Sequence, residues 1–181
     1  MIGSFKMLVI AAIGPFVLSQ CDLWMAPIAT KPTAIDPRIL GRYDGGEDIN
    51  SHKHLTLIIE AKSPTEYRIK NFWSEGYETT AFLSQVADRR FFNMRWRERY
   101  VLGTFQLRGQ LLVYWVVNSE VISNKLQTSD EIERAIKANI QNPNLWMRWP
   151  GSDDKHTLLA IPLLREGAAE PSNFDFAQRP W

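Results

Sequence analysis

Apolar and polar residues alternate along most of the chain after residue 38. In the clearest case, Leu55, Leu57 and Ile59 are each separated by one residue. This is the period of a β-strand with one face in a core and the other in solvent. The pattern predicts seven successive strands, at residues 39–44, 54–61, 66–72, 77–85, 90–96, 100–107 and 111–118. The links between them are too short for parallel crossovers, which predicts an antiparallel meander.

The seventh segment is apolar on both faces, since residues 111–117 are Leu-Leu-Val-Tyr-Trp-Val-Val. Such a strand needs a cover on its outer side, and we predict that the next segment supplies it. Thr128 and Glu131 have the spacing of a helix capping box, and the Asn142-Pro143 pair ends the helix. The apolar stripe of this helix comprises Ile132, Ala135, Ile136 and Ile140.

An eighth strand is predicted at residues 156–164. Eight antiparallel strands with one packed α-helix indicate a mainly β fold, a small barrel or half-barrel. The interior of such a barrel is either filled by side chains or holds one small ligand. We place this domain at residues 38–166. Residues 167–181 are small and polar, which predicts a flexible tail.

The amino-terminal residues are typical of an export signal. Lys6 precedes an apolar stretch at residues 7–18 that contains Gly14-Pro15. A membrane-spanning helix needs about 20 apolar residues, so a secretory signal peptide at residues 1–20 fits better. Residues 22–37 follow, interrupted by prolines and without a period, which predicts a tether.

The sole cysteine, Cys21, follows directly in Val-Leu-Ser-Gln-Cys. This sequence resembles the lipobox of bacterial lipoproteins, although Gln20 stands where Gly, Ala or Ser is usual. The resemblance implies a diacylglyceryl group on the Cys21 thiol, cleavage before it, and a periplasm-facing body held on the cell envelope by acyl chains. Asp22 is the residue that in enteric lipoproteins tends to hold the protein at the inner membrane. The alternatives are cleavage elsewhere by a general signal peptidase, and an uncleaved anchor or a cytosolic form.

One further motif bears on the barrel. The sequence Leu-Gly-Arg-Tyr at residues 40–43 resembles the Gly-x-Trp opening of lipocalins, with Tyr43 in place of Trp. The resemblance implies a barrel. The predicted helix, however, precedes the last strand, whereas in lipocalins it follows the last barrel strand.

Composition narrows the function. The chain has 21 lysine and arginine residues and 20 acidic residues, a net charge of +1. This balance lacks the excess of positive charge that is typical of nucleic-acid-binding proteins. A single cysteine excludes an internal disulfide framework. We find no nucleophile elbow, phosphate loop or zinc-protease motif, and therefore predict a binding protein without catalytic residues, metal or cofactor. His52 and His54 could share a strand face as metal ligands, with Glu47, Asp48 and His156 as additional ligands, but the spacing alone does not indicate a site, and we interpret them as polar residues at a strand entry.

Two residue groups are candidates for binding. Trp73, Trp96 and Trp115 could line a pocket for a small apolar ligand, or could fill the core. Arg95, Arg97 and Arg99 would share one face if the strand continued through Glu98, and could contact phospholipid headgroups or an acidic partner. Their alternative is a solvated face neutralised by nearby carboxylates, namely Glu60, Glu66 and Glu78.

The sequence thus leaves two hypotheses. The first is a carrier or sensor of a small apolar ligand held in the barrel, and the second is an accessory or assembly subunit that docks on another envelope protein through its sheet face. An aromatic-lined cavity of roughly several hundred cubic ångströms would favour the carrier. A filled interior with an exposed apolar patch would favour docking.

Overall fold

The computed structural model describes residues 23–29, 31–47, 54–72, 74–147, 160–168 and 180. The predicted signal peptide, Cys21, Asp22, His52, Trp73, His156 and nearly all of the predicted tail lie outside the described residues. Among the residues that are described, no helix is both long and apolar enough to cross a bilayer.

The fold is mainly β, as predicted: an eight-stranded antiparallel meander that forms a nearly closed barrel, with one helix. Each strand pairs with its neighbours in chain order. The strands are β1 (Gly41–Glu47), β2 (His54–Ala61), β3 (Glu66–Lys70), β4 (Glu78–Val86), β5 (Arg89–Trp96), β6 (Arg99–Arg108), β7 (Leu111–Val116) and β8 (Ala160–Leu164); the helix α1 spans Ser129–Asn139. The barrel closes where β1 meets the end of β8, through a bridge between Tyr43 and Arg165.

The first strand differs most from its prediction. It begins at Gly41 because Pro37–Ile39 form a 3₁₀ turn, capped by the Asp36 side chain. It continues past its predicted end at residue 44, since a bulge between Asp44 and Glu47 keeps β1 paired with β2.

Two apolar cores lie on opposite sides of the sheet. The inner core fills the barrel, and the outer core lies between the barrel and α1. Because side chains alternate between the two faces of a strand, successive residues belong to different cores: Phe92 lies in the inner core and Phe91 in the outer one. All six residues of β7 are buried, because this strand contributes to both cores.

The helix packs on the outer core, to which β7 contributes, and the strand that it lies nearest to is β4, whereas the sequence predicted that it covers β7. Ile132 and Ile136 are fully buried in the outer core together with Val113 and Trp115 of β7. The helix begins at a complete capping box, in which the Thr128 side chain accepts from the Glu131 N–H while the Glu131 carboxylate accepts from the Thr128 N–H.

The segment before β1, residues 23–37 and here called the strap, runs along the outside of the barrel. Trp24 and Tyr100 exchange two backbone hydrogen bonds of 3.0 and 2.9 Å, and the Ile28 N–H donates to Asn93 Oδ1 at 2.7 Å. Trp24 and Ile28 are both 0% exposed. The described part of this segment is therefore not the free tether that the sequence predicted: its prolines prevent a regular strand, but isolated bridges and single apolar residues still dock it.

Candidate functional site

The barrel has two different ends. The floor end holds the turns at residues 62–65, 87–88 and 109–110, and the rim end holds the links at residues 71–77 and 97–98. The strap starts at the rim end, where Trp24 pairs with Tyr100, and finishes at the floor end, where the Ile35 N–H donates to Pro64 O at 3.0 Å. Residues 23 and 24 therefore lie at the rim end of the barrel.

An apolar cavity lies inside the barrel between these ends. Its empty space is about 460 Å³ when the part continuous with solvent is counted, but its enclosed volume is only about 30 Å³. That is room for roughly two or three waters, and far less than the several hundred cubic ångströms of a drug-sized pocket. Every lining residue is apolar or aromatic: Ile39, Leu57, Ile59, Ile69, Phe72, Phe92, Met94, Phe105, Leu112, Tyr114 and Leu163.

The narrowness of the cavity comes from aromatic rings that cross the interior. Phe92 contacts Tyr114 edge to face with ring centroids 5.8 Å apart, and Phe105 at 6.0 Å. Gly103 makes room for Tyr114, because a Cβ atom at position 103 would lie 2.5 Å from Cζ and Oη of that tyrosine. Sequence analysis missed Gly103, although a glycine inside a strand signals close approach of another group.

The 3₁₀ turn closes the floor end. Ile39 lines the cavity and is only 1% exposed. The turn is held by Arg165, which donates from Nη2 to the carbonyl oxygens of Arg38 and Leu40 at 2.9 and 3.2 Å and stacks 5.6 Å from the centroid of the Tyr43 ring. The motif at residues 40–43 therefore lies where β1 meets the floor.

A buried carboxylate holds the floor together. Asp36 is 5% exposed, and its Oδ2 lies 2.6 Å from Arg38 Nη2 and 3.3 Å from Arg90 Nη2. The hydrogen bond from Arg38 lowers the pKa of Asp36 to about 2. Tyr67 accepts a hydrogen bond from the Asp36 N–H, and burial raises the pKa of Tyr67 to about 12. At physiological pH the Asp36 carboxyl group is therefore ionised and the Tyr67 hydroxyl group is neutral.

The rim end is aromatic. Phe72 follows β3 and lines the cavity, and Trp96 packs against the inner core with its ring centroid 4.9 Å from that of Tyr77. Trp115 is instead fully buried in the outer core, so the structure does not bring Trp96 and Trp115 to one pocket. Trp73, the third predicted ligand contact, is outside the described residues.

The three candidate arginines lie close together, at the β5–β6 hairpin of the rim end. The strand does not continue through Glu98, because Arg97 and Glu98 form a turn in which Arg97 has φ 54°. Arg95 lies 3.7 Å from Glu98. Arg97 and Arg99 are exposed, and no carboxylate of the described residues forms an ion pair with either of them.

The carboxylates predicted to neutralise this face have other partners. Glu60 pairs with Lys70 at 2.8 Å, Glu78 with Arg68 at 3.1 Å, and Glu66 with Lys62 at 3.2 Å. The sheet surface formed by β2, β3 and β4 is therefore a lattice of paired charges, separate from the β5–β6 hairpin.

Two observations complete the chemistry of the described residues. No group of three or more His, Cys, Asp or Glu side chains in them is arranged to hold a metal ion, and His54 lies 3.5 Å from Asp44 in an exposed pair. Comparisons with protein-family models, with curated proteins and with solved structures found no match to this chain.

Proposed function

We propose that this chain is a bacterial envelope lipoprotein, anchored by acyl chains on Cys21, whose barrel binds a small apolar ligand without catalysis. The observation that supports this function best is the wholly apolar cavity inside a barrel closed at its floor end. An uncharged lining of this kind favours apolar groups, because a charged or polar group placed there would lose its hydration without gaining a partner.

The cavity also narrows the class of ligand. An alkyl chain of more than a few carbons enters this small enclosed space only if the aromatic rings of Phe92, Phe105 and Tyr114 move apart. A slender, unbranched chain displaces these rings less than a ring system would. A polar headgroup on such a chain stays outside the apolar lining, at the rim end. The proposed ligand is therefore an amphiphile with a single alkyl chain.

The alternative, an accessory or assembly subunit that docks through its sheet face, has less support. Met25, 45% exposed, is the one large hydrophobic side chain that is exposed in the described part of the chain. Stable docking usually requires a larger apolar patch. The paired charges of β2, β3 and β4 do not supply one.

Binding can be tested with decanoate as the probe, on the Cys21→Ser variant, which carries no acyl chain. We expect saturable binding by calorimetry. Adding Leu57→Phe, which fills the cavity, should weaken this binding roughly tenfold or more. The matched control is Leu102→Phe, the same enlargement in the outer core, which should leave affinity unchanged in protein that remains folded.

Equal affinity of the two enlarged variants, or no binding of decanoate by the parent, would contradict the proposal. The anchor is tested separately. Protein purified from its own host should begin at Cys21 and carry the mass of a diacylglyceryl group, and the Cys21→Ser variant should move from the membrane to the soluble periplasmic fraction. Unmodified mass at Cys21 would refute the anchor without affecting the binding result.

A further inference from the structure

We infer that the rim end of the barrel faces the bilayer, so that the rim end of the cavity, lined by Phe72, faces the membrane from which its ligand comes. The inference rests on the proposed lipid anchor and apolar ligand, and it adds an orientation and a membrane-contact surface. This surface, here called the rim surface, comprises Met25, Arg97 and Arg99. Three features support contact between this surface and lipid.

The first feature is the position at which the strap enters the barrel. Trp24 is held to Tyr100, at the start of β6, by the hydrogen bonds from each backbone N–H to the other residue's carbonyl oxygen. Three Cα–Cα steps of about 3.8 Å separate residues 21 and 24, so an acyl group on Cys21 is attached within about 11 Å of this bridge. The packed strap leaves no spacer between the anchor and the rim end.

The second feature is Met25, which directly follows the bridge. It is 45% exposed, whereas its neighbour Trp24 is fully buried. An isolated exposed methionine needs no explanation by itself. Beside an acyl anchor, however, it lies where apolar side chains enter the boundary between headgroups and acyl chains.

The third feature is the charge of the β5–β6 hairpin, compared with the cations at the floor end. Near the floor, Arg90 lies 3.3 Å from Asp36, Arg89 lies 3.4 Å from Asp88, and Lys62 lies 3.2 Å from Glu66. At the rim, Arg97 and Arg99 have no such partner among the described residues. Unpaired arginines attract anionic headgroups, and can form bidentate hydrogen bonds with phosphate.

In this orientation the ligand can reach the cavity without passing through water. Phe72 lines the cavity and lies at the rim end, next to the loop that leads to Tyr77 and its partner Trp96. An alkyl chain that leaves the bilayer here passes from lipid to aromatic side chains and then to the inner core. It need not cross water, which is the unfavourable step for an apolar chain.

The orientation can be measured with two matched positions on β5. Glu98, 90% exposed in side chain, and Asp88, 78% exposed, occupy the turns that follow and precede this strand. The eight residues of β5 separate them by roughly 26 Å. Because the acylated Cys21 has no free thiol, Glu98→Cys or Asp88→Cys provides the sole labelling site for an environment-sensitive fluorophore.

Each acylated, labelled variant is reconstituted into vesicles of phosphatidylethanolamine and phosphatidylglycerol, with and without spin-labelled lipid. We expect a blue shift and lipid-dependent quenching at position 98, and neither at position 88. Equal quenching at the two positions, or stronger quenching at position 88, would overturn the orientation.

The same samples separate this inference from the proposed function. Intact mass reports the acyl group, and decanoate binding by the Cys21→Ser protein reports the cavity. If the acyl group is present and decanoate binds, but position 88 is the one that is quenched, then only the inferred orientation is wrong. If the acyl mass is missing, the anchor fails, and the orientation inferred from it is overturned as well.

Discussion

The two ends of the barrel differ in how their charged and aromatic side chains are buried and paired. At the floor, an ionised carboxylate is buried between two arginines, and apolar residues of the 3₁₀ turn pack on the inner core. At the rim, Phe72, Tyr77 and Trp96 are half-buried, and Arg97 and Arg99 are exposed without a carboxylate partner in the described part of the chain. The comparison indicates that the floor end stabilises the fold, whereas the rim end carries the surface that we propose for binding.

The largest difference between the ends should appear in stability. Ile39→Ala removes a fully buried side chain from the floor and should lower the free energy of unfolding by about 3 kcal/mol, since the cavity that remains cannot collapse completely. Met25→Ala at the rim should change it by less than about 0.5 kcal/mol. Urea unfolding followed by tryptophan fluorescence measures both. Similar losses for the two variants would remove the distinction.

Acid should weaken the floor before the rim. The pKa of Asp36 is lowered to about 2 in the folded protein from its ordinary 3.8. Because the pKa of Asp36 is lower in the folded than in the unfolded protein, its ionised form adds to the free energy of unfolding at any pH above the unfolded pKa. This contribution, about 2 kcal/mol for a nearly buried group, is lost as the pH falls from about 4 to about 2. Asp36→Asn should remove this part of the pH dependence, measured by urea unfolding at several pH values. Asp88→Asn, in the exposed floor turn, should retain it.

The rim should dominate binding to anionic membranes. In the Cys21→Ser background, Arg97→Gln and Arg99→Gln should each weaken association with phosphatidylglycerol vesicles roughly fivefold at low salt, because each removes one headgroup contact. Vesicle sedimentation measures the effect, with unfolding free energy as the check on folding. Arg89→Gln, at the floor, is the control and should bind like the parent. If Arg89→Gln lost as much affinity as the rim variants, binding would reflect general charge attraction and not contact at the rim.

The smallest expected effect has the opposite sign. Glu98 is highly exposed and lies 3.7 Å from Arg95, a distance at which surface pairs add little stability. Glu98→Gln should therefore leave the unfolding transition unchanged and strengthen vesicle binding a few-fold, since it removes the acidic charge beside the rim arginines. Unaltered or weaker binding in the same sedimentation assay would indicate that the hairpin does not contact the membrane.

Periodic features were predictable from the sequence. The strands β2 and β5 match the predicted segments closely, since alternation at Leu55, Leu57 and Ile59 already separates a buried face from an exposed one. The helix α1 was predictable because Thr128 and Glu131 carry its start signal locally. These features depend on neighbours in sequence, which a single chain displays directly.

The candidate site was harder to predict because it depends on non-local contacts. Trp115 belongs to a strand that is apolar on both faces, so alternation could not decide between the inner and outer cores. The docking of Trp24 uses a single bridge to Tyr100 and has no period at all. Gly103 matters only because Tyr114, on the next strand, turns its ring over it.

The strap has a mechanical consequence. Tension applied on the amino-terminal side of residue 23 reaches the barrel through the Trp24–Tyr100 bridge, and so loads β6 before β1. Peeling the strap would expose Trp24 and Ile28 in turn, and would then pull on the residues that seal the base. A sustained force at that terminus would therefore strip the outer layer first and open the barrel from its sealed side.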